Sequence, residues 1–202
     1  MKKGFESVYQ FRITQKEIRP PIWRRIQVPE TYTFWDLHVA IQDVMGWLDY
    51  HLHQFTISHP LTGGKEEIGI PEDKNHVFDD IVDVIPGWGQ RIALWFNEEN
   101  RIADYWYDFG DDWHHRVELE KILFKEEGVG YPRCIKGRRA CPPEDCGGIW
   151  GYENLLKIIN DSEHEEYGRM MEWLGGGYDP EHFDVKEVVF TDPKKRLRRL
   201  LD

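Results

Sequence analysis

From Tyr105 to His115 the chain reads Tyr-Trp-Tyr-Asp-Phe-Gly-Asp-Asp-Trp-His-His. Strand-favouring aromatic residues lie on both sides of one glycine set among aspartates, and a run of that kind folds back on itself as a β-hairpin. A two-residue loop at Gly110-Asp111, with the glycine in the positive φ of a type II′ turn, sets residues 109 and 112, 108 and 113, 107 and 114, and 106 and 115 opposite one another. In this register Tyr107, Phe109, Asp112 and His114 share one face, while Trp106, Asp108, Trp113, His115 and Val117 share the other. The second face is the more apolar and is predicted to be buried, which makes Asp108 and His115 a buried polar pair. A carboxylate beside an imidazole can bind a metal, act as general base or hold a histidine tautomer, and it can equally be a structural hydrogen bond. Asp108, Asp112 and His115 are therefore the candidate catalytic groups, with Arg24 and Arg25 as partners from an earlier strand. Asp108-Phe109-Gly110 also matches the kinase triplet, but no Gly-rich loop and no His-Arg-Asp loop accompany it. The acidic spacing does not fit an EF-hand either.

Upstream, Val8 to Ile13 alternates with Tyr9, Phe11 and Ile13 on one face, and Ile22 to Val28 follows Pro20-Pro21 as a second strand ended by Pro29. The two pair as a hairpin. Thr33 with Asp36 forms a helix start, Phe34, Leu37, Ile41, Val44 and Met45 recur at helical spacing, and Gly46 is the C-cap. A third strand over His51 to Ile57 completes a β-β-α-β order, as in β-grasp folds. Ile68 to Ile70 is a short strand after a Thr62-Gly63-Gly64 turn, Asp80 to Ile85 a helical turn, and Arg91 to Phe96, Ile102 to Phe109 and His114 to Phe124 are further strands. From Gly128 a Cys/Pro/Gly texture predicts mostly loop. Apolar stripes then give one helix through Tyr152, Leu155, Leu156 and Ile159, and another through Tyr167, Met170, Met171 and Leu174 behind a Ser162 to Glu165 capping box. Asp184 to Phe190 is a short helix stopped by Pro193. The expected architecture is α+β: a β-grasp-like N-terminal sheet extended by antiparallel strands, then the Cys/Pro/Gly loop and C-terminal helices. It is read as a single domain over 1–202, strand-rich over 5–125, with loop and helices over 126–202.

Nine Trp, with 40% hydrophobic residues overall, supply a globular core rather than a disordered chain. A net charge of -11 argues against a general nucleic-acid surface. The exception is Lys194, Lys195, Arg196, Arg198 and Arg199, which read as a solvated helix end or as a patch for an anionic partner. Basic residues at the start have no apolar run behind them, no segment is of membrane-spanning length, and three Cys is an odd number, so a reduced cytoplasmic protein without a membrane partner is expected.

Cys134, Cys141 and Cys146 lie on Gly/Pro-rich sequence, where thiolates are the usual ligands of structural zinc. A fourth ligand comes from elsewhere, His164 being nearest in sequence and Asp145 or His182 further choices; inert reduced thiols are the alternative. His51 and His53, two apart on a strand, can chelate one ion with a nearby carboxylate or a third histidine such as His38, or serve in surface or aromatic packing roles.

The chain resembles the plasmid pRiA4b ORF-3-like family, found in bacteria and archaea and sometimes labelled as insertion-element passenger (TnpR-like) proteins. The resemblance is carried by Ile18 to Arg25, Leu37-His38 through Met45-Gly46-Trp47, His51 to Phe55, Tyr107 to Trp113, and Ala140 to Gly148 with Gly151-Tyr152. It implies an α+β fold and a cytoplasmic protein, and brings no activity. A serine recombinase needs a nucleophilic Ser with supporting Arg residues, and no such set is present. Where the family often has Glu-His after Asp-Asp-Trp, this chain has His114-His115, so a carboxylate role at 114 is not carried over. The expected function is a non-enzymatic binding or adaptor module with an unidentified protein or small-molecule partner. The alternatives are a metal-dependent hydrolase or nuclease-like enzyme built on the Asp/His hairpin, and a mobile-element-associated DNA accessory protein acting through the basic tail.

Overall fold

A computed structural model describes residues 4–71 and 84–201. The first hairpin forms as its alternation requires: β1 (Ser7–Gln15) pairs antiparallel with β2 (Trp23–Pro29), Phe11 opposite Ile26 and Ile13 opposite Arg24. Tyr9, Phe11 and Ile13 enter the core. Helix α1 (Phe34–Met45) starts with a reciprocal box in which Thr33 Oγ1 accepts from the Asp36 amide and Asp36 Oδ2 accepts from the Thr33 amide. It ends at Gly46, whose φ of 84° is the left-handed conformation a glycine adopts without strain. Such an N-cap stabilises a helix by about 1 kcal/mol.

β3 (His53–Ser58), β4 (Lys65–Gly69) and the two-residue β5 (Ile85–Pro86) follow, then β6 (Ile102–Tyr107), β7 (Trp113–Phe124) and β8 (Arg133–Arg138). They make one sheet in the order β5-β4-β3-β6-β7-β1-β2-β8, antiparallel except for β4 with β5. The fold is α+β. Although the chain order is strand, strand, helix, strand, β6 and β7 separate β3 from β1, so the first third does not make a contiguous sheet of its own. Apolar residues of α1 and of the strands beneath it form one core, with Phe34 on Phe55 at 5.1 Å and Phe11 on Phe96 at 4.9 Å between ring centroids.

Several sequence expectations give way to local chemistry. Arg91 to Phe96 is not a strand: Ile92–Leu94 is a 3₁₀ turn that buries Ile92, Trp95 and Phe96 and leaves Leu94 66% exposed, the i, i+3, i+4 spacing of a turn rather than alternation. The stretch from Gly128 to Gly147 is loop except for β8, which the sequence reading did not expect and which adds to β2. The capping box at Ser162 to Glu165 does not form. Asp161 Oδ1 instead accepts from Glu163, and α3 (Tyr167–Trp173) begins without a side-chain cap, after α2 (Gly148–Ile159). Asp184 to Phe190 shrinks to a 3₁₀ turn at Val185–Glu187. Pro193 opens a helix instead of closing one: α4 (Pro193–Leu201) starts with Asp192 Oδ1 accepting from Lys194, since a proline at the first helical position loses no hydrogen bond. Of the helical turn expected over Asp80 to Ile85, residues 80–83 lie outside the described residues and Ile85 begins β5. No helix among the described residues is long and apolar enough to cross a membrane.

Candidate functional site

The central hairpin turns one residue away from the expected register. Tyr107 faces Trp113, Trp106 faces His114 and Tyr105 faces His115, leaving residues 108–112 as the loop. Because side chains alternate, this one-residue difference exchanges the faces. Tyr105, Tyr107, Trp113, His115 and Val117 are buried together, and Trp106 stacks on His114 on the other side. The cause is Asp108. Its Oδ1 accepts from the Gly110 and Asp111 amides at 2.9 and 3.2 Å, and its own carbonyl accepts from Asp112 at 2.7 Å. Aspartate bonding its own backbone tolerates left-handed φ, so Asp108 at 56° and Asp112 at 61° supply the turn that Gly110 was expected to make.

Asp108 and His115 consequently do not pair. His115 is fully buried against Trp47 and Tyr105, and neither ring nitrogen has a partner among the described residues. Burial pushes it down to about 3, so it is neutral. Asp112 is exposed and bonds His114 at 2.9 Å. The three candidate catalytic groups thus face different surroundings. Arg24 goes elsewhere too: fully buried, it donates to the Val44, Trp23 and Arg138 carbonyls and lies 3.9 Å over the Phe183 ring, while Arg25 pairs with Glu120.

Asp108 points instead to a meeting of three stretches far apart in sequence. His51 Nε2 lies 3.5 Å from Asp108 Oδ2 and 3.0 Å from Asp145 Oδ1. Asp145 arrives because the Cys loop docks on the hairpin: the Gly147 amide donates to Asp111 Oδ2, and a Cβ on Gly148 would come within 2.6 Å of the Asp111 carbonyl oxygen. Only glycine allows that approach.

The thiols do not gather with His164 into a ligand set among the described residues. Cys141 Sγ sits 3.0 Å from Met45 Sδ and 3.8 Å from Arg24, whereas Cys134 and Cys146 each turn to a nearby backbone carbonyl, of Lys136 and of Gly148. His164 Nδ1 accepts from the Glu166 amide at the start of α3, and His182 pairs with Glu187. Burial holds each thiol protonated. Cys141 is pushed up to about 11, and Cys146 to about 12, where the nearby carboxylates of Asp111, Asp145 and Asp108 add to the effect of burial.

His51 and His53 do not chelate together either. His53 turns inward and stacks on His38 at 3.4 Å, and burial with the neighbouring His38 holds it well below the usual histidine range. His38 Nε2 lies 2.8 Å from Asp49 Oδ1 and Nδ1 lies 2.9 Å from the Tyr105 hydroxyl. A carboxylate only accepts, so Nε2 carries a hydrogen; in the neutral ring Nδ1 then accepts from Tyr105, and Gln42 donates to the tyrosine oxygen. Burial pushes the Asp49 carboxyl up, but the His38 bond and the Arg196 guanidinium more than offset it, and the group sits below its ordinary value. Arg196 spans Asp43 at 2.6 Å and Asp49 at 3.3 Å, which fixes α4 to the end of α1. Sequence reading missed this chain of contacts; the one local signal was His38 and Gln42 four apart on the same helical face.

The sequence model of the plasmid pRiA4b ORF-3-like protein matches residues 7–187, taking in all three converging stretches. The chain belongs to the plasmid pRiA4b ORF-3-like family. It is 30% identical over 172 residues to the uncharacterized protein y4hQ of Sinorhizobium fredii (strain NBRC 101917 / NGR234), covering 84% of this chain and 81% of that one. It is 50% identical to the protein of unknown function MM3350 from Methanosarcina mazei Go1, whose crystal structure matches with a TM-score of 0.85 over 93% of this chain and 100% of the other.

This pRiA4b ORF-3-like chain also carries a groove of about 770 Å³ between α4 and the segment leading into β3, lined by Trp35, Leu48, Tyr50, Leu52, Lys195 and Arg199 among others. Over residues 47–53 the usual alternation is inverted. Trp47, Asp49, His51 and His53 turn towards the protein, while Leu48 and Tyr50 stand 63% and 71% exposed and Leu52 is exposed beside them. The backbone is pinned in that sense by the Leu48 amide donating to Glu144, the Tyr50 amide donating to the Tyr107 hydroxyl, and the Leu52 carbonyl accepting from Asp108.

Proposed function

We propose that this protein is a non-enzymatic binding module, and that its groove takes an extended segment of a partner protein bearing apolar side chains and a carboxylate. The observation that carries the reading is the inverted segment: Leu48, Tyr50 and Leu52 face solvent in succession while an aspartate and two histidines face inward. Contiguous exposed apolar surface is costly unless a partner covers it. Lys195 and Arg199 on the opposite wall supply the charge preference for a carboxylate, Arg196 being held by Asp43 and Asp49. Two such cations on a chain of net charge -11 favour an acidic side chain over a phosphate backbone, which needs a longer basic track. The separation of Asp108, Asp112 and His115 supports the non-enzymatic half of the proposal.

The test is selection of a displayed random-peptide library on the immobilised full-length chain, with affinities of the winners remeasured in solution. Enriched peptides should combine apolar residues with Asp or Glu, and should lose roughly tenfold or more in affinity for each of Tyr50→Ser and Arg199→Glu. Winners that ignore both substitutions, an absence of any enriched pattern, or competition by duplex DNA at low salt would each refute it.

A further inference from the structure

The meeting of His51, Asp108 and Asp145 has a chemistry that the groove does not use. One imidazole nitrogen and two carboxylate oxygens, from three separate stretches, lie within 4.8 Å of one another. Metal–ligand bonds of about 2.1 Å place neighbouring ligand atoms about 3.0 Å apart in octahedral and about 3.4 Å apart in tetrahedral coordination. The observed separations from His51 Nε2, 3.0 Å to Asp145 and 3.5 Å to Asp108, fall at those values.

Three further observations point to a cation. The Asp108 side chain is only 8% exposed, and its Oδ2, directed at the cluster, has no donor among the described residues except His51 at 3.5 Å; both amides that bond this carboxylate use Oδ1. His51 Nε2 is itself shut off from solvent without a well-formed hydrogen bond, though two carboxylate oxygens lie close. A third carboxylate, Asp111, stands at the same junction, and among the described residues no Lys or Arg forms an ion pair with Asp108, Asp111 or Asp145. Negative charge surplus to one imidazole, partly buried, is the setting in which a divalent cation binds and repels least.

We propose that His51 Nε2, Asp108 Oδ2 and Asp145 Oδ1 form a binding site for a first-row divalent transition-metal ion, tying the Cys loop to the central hairpin. The nitrogen ligand selects Zn²⁺, Co²⁺ or Mn²⁺ over Ca²⁺ and Mg²⁺, which take oxygen ligands. With three protein ligands, the remaining positions belong to water. The site shares His51 with the lining of the peptide groove, but its ligand set is separate from the groove's apolar and basic side chains and its test needs no peptide.

The experiment uses the EDTA-stripped full-length chain in equilibrium dialysis against Co²⁺ and Mn²⁺, with the visible spectrum of the cobalt form and the melting temperature as second readouts. Binding of one ion per chain, a raised melting temperature, and no sulfur-to-cobalt charge-transfer band are expected. Asp108→Asn keeps an oxygen for the Gly110 and Asp111 amides and tolerates the left-handed φ, as Asn does at Asp145, so both variants retain the fold. Each, like His51→Gln, should weaken binding by roughly tenfold or more. Absence of saturable binding overturns the proposal. So does binding that survives all three variants, binding that Cys141→Ser or Cys146→Ser abolishes, or displacement of cobalt by equimolar Ca²⁺.

Discussion

Asp49→Asn tests whether the chain of contacts from Tyr105 through His38 to Arg196 contributes to stability as a charged unit. The asparagine keeps an acceptor for His38 Nε2 and tolerates the φ of 64° at this position, so the substitution removes charge and little else. A charge-assisted hydrogen bond contributes roughly 1.5–3 kcal/mol, about twice a neutral one, so about half of that is lost. The Arg196 contact, longer and partly solvated, adds up to about 1 kcal/mol. The sum is a loss of about 1–2.5 kcal/mol, or roughly 2–10 °C in melting temperature for a chain of this size. The pH dependence supplies an independent check. The folded carboxyl lies below its ordinary value, so its contribution is complete above about pH 4 and drains away as pH falls through the folded value. Urea unfolding of the native and substituted proteins at pH 7, 5 and 3 should give the same difference at the two higher values and a smaller one at pH 3. A difference below about 0.5 kcal/mol at pH 7, or one that does not shrink at pH 3, would refute the reasoning.

Gly148→Ala sets a Cβ 2.6 Å from the Asp111 carbonyl oxygen at a φ of 66°. A loss of about 1–3 kcal/mol with faster amide exchange at Gly147 and Asp112 is expected, and unchanged exchange at both would show that the Cys loop does not depend on this approach. The thiols, held protonated by burial, should react with a disulfide reagent at pH 8 much more slowly in the native protein than in urea; three fast native thiols would contradict the surroundings of Cys134, Cys141 and Cys146.

Features fixed by neighbouring residues were legible in the sequence. Thr33, Asp36 and Gly46 cap their helix through bonds no more than four residues long, and the alternation of Tyr9, Phe11 and Ile13 needs only a core on one side. The hairpin was legible as a hairpin but not in its register, because loop length depends on Asp108 bonding its own backbone rather than on where the glycine falls. What remained hidden depends on distant partners. β8 is short and polar, and exists through pairing with β2. His38 of α1 meets Tyr105 of β6 through packing of the helix on the sheet, and Asp145 reaches His51 only after Gly147 and Gly148 dock on the hairpin. Leu48, Tyr50 and Leu52 face outward against the rule that apolar residues turn in, so periodicity assigned them no special standing.

The outer strands of the sheet bear on how copies of this chain meet one another. An unpaired edge is a template for further strands, and cross-molecule extension is the usual hazard of a broad antiparallel sheet. Here one edge is β5, two residues long and ending in Pro86, which has no N–H to offer; the other is β8, which presents Lys136 and Arg138 to solvent and packs Phe183 over Gly137. Neither gives a second molecule a long, flat, uncharged ladder to join. Among the described residues the sheet is thus terminated at both sides by chemistry rather than by closure, the arrangement that disfavours edge-to-edge growth of an open eight-stranded surface.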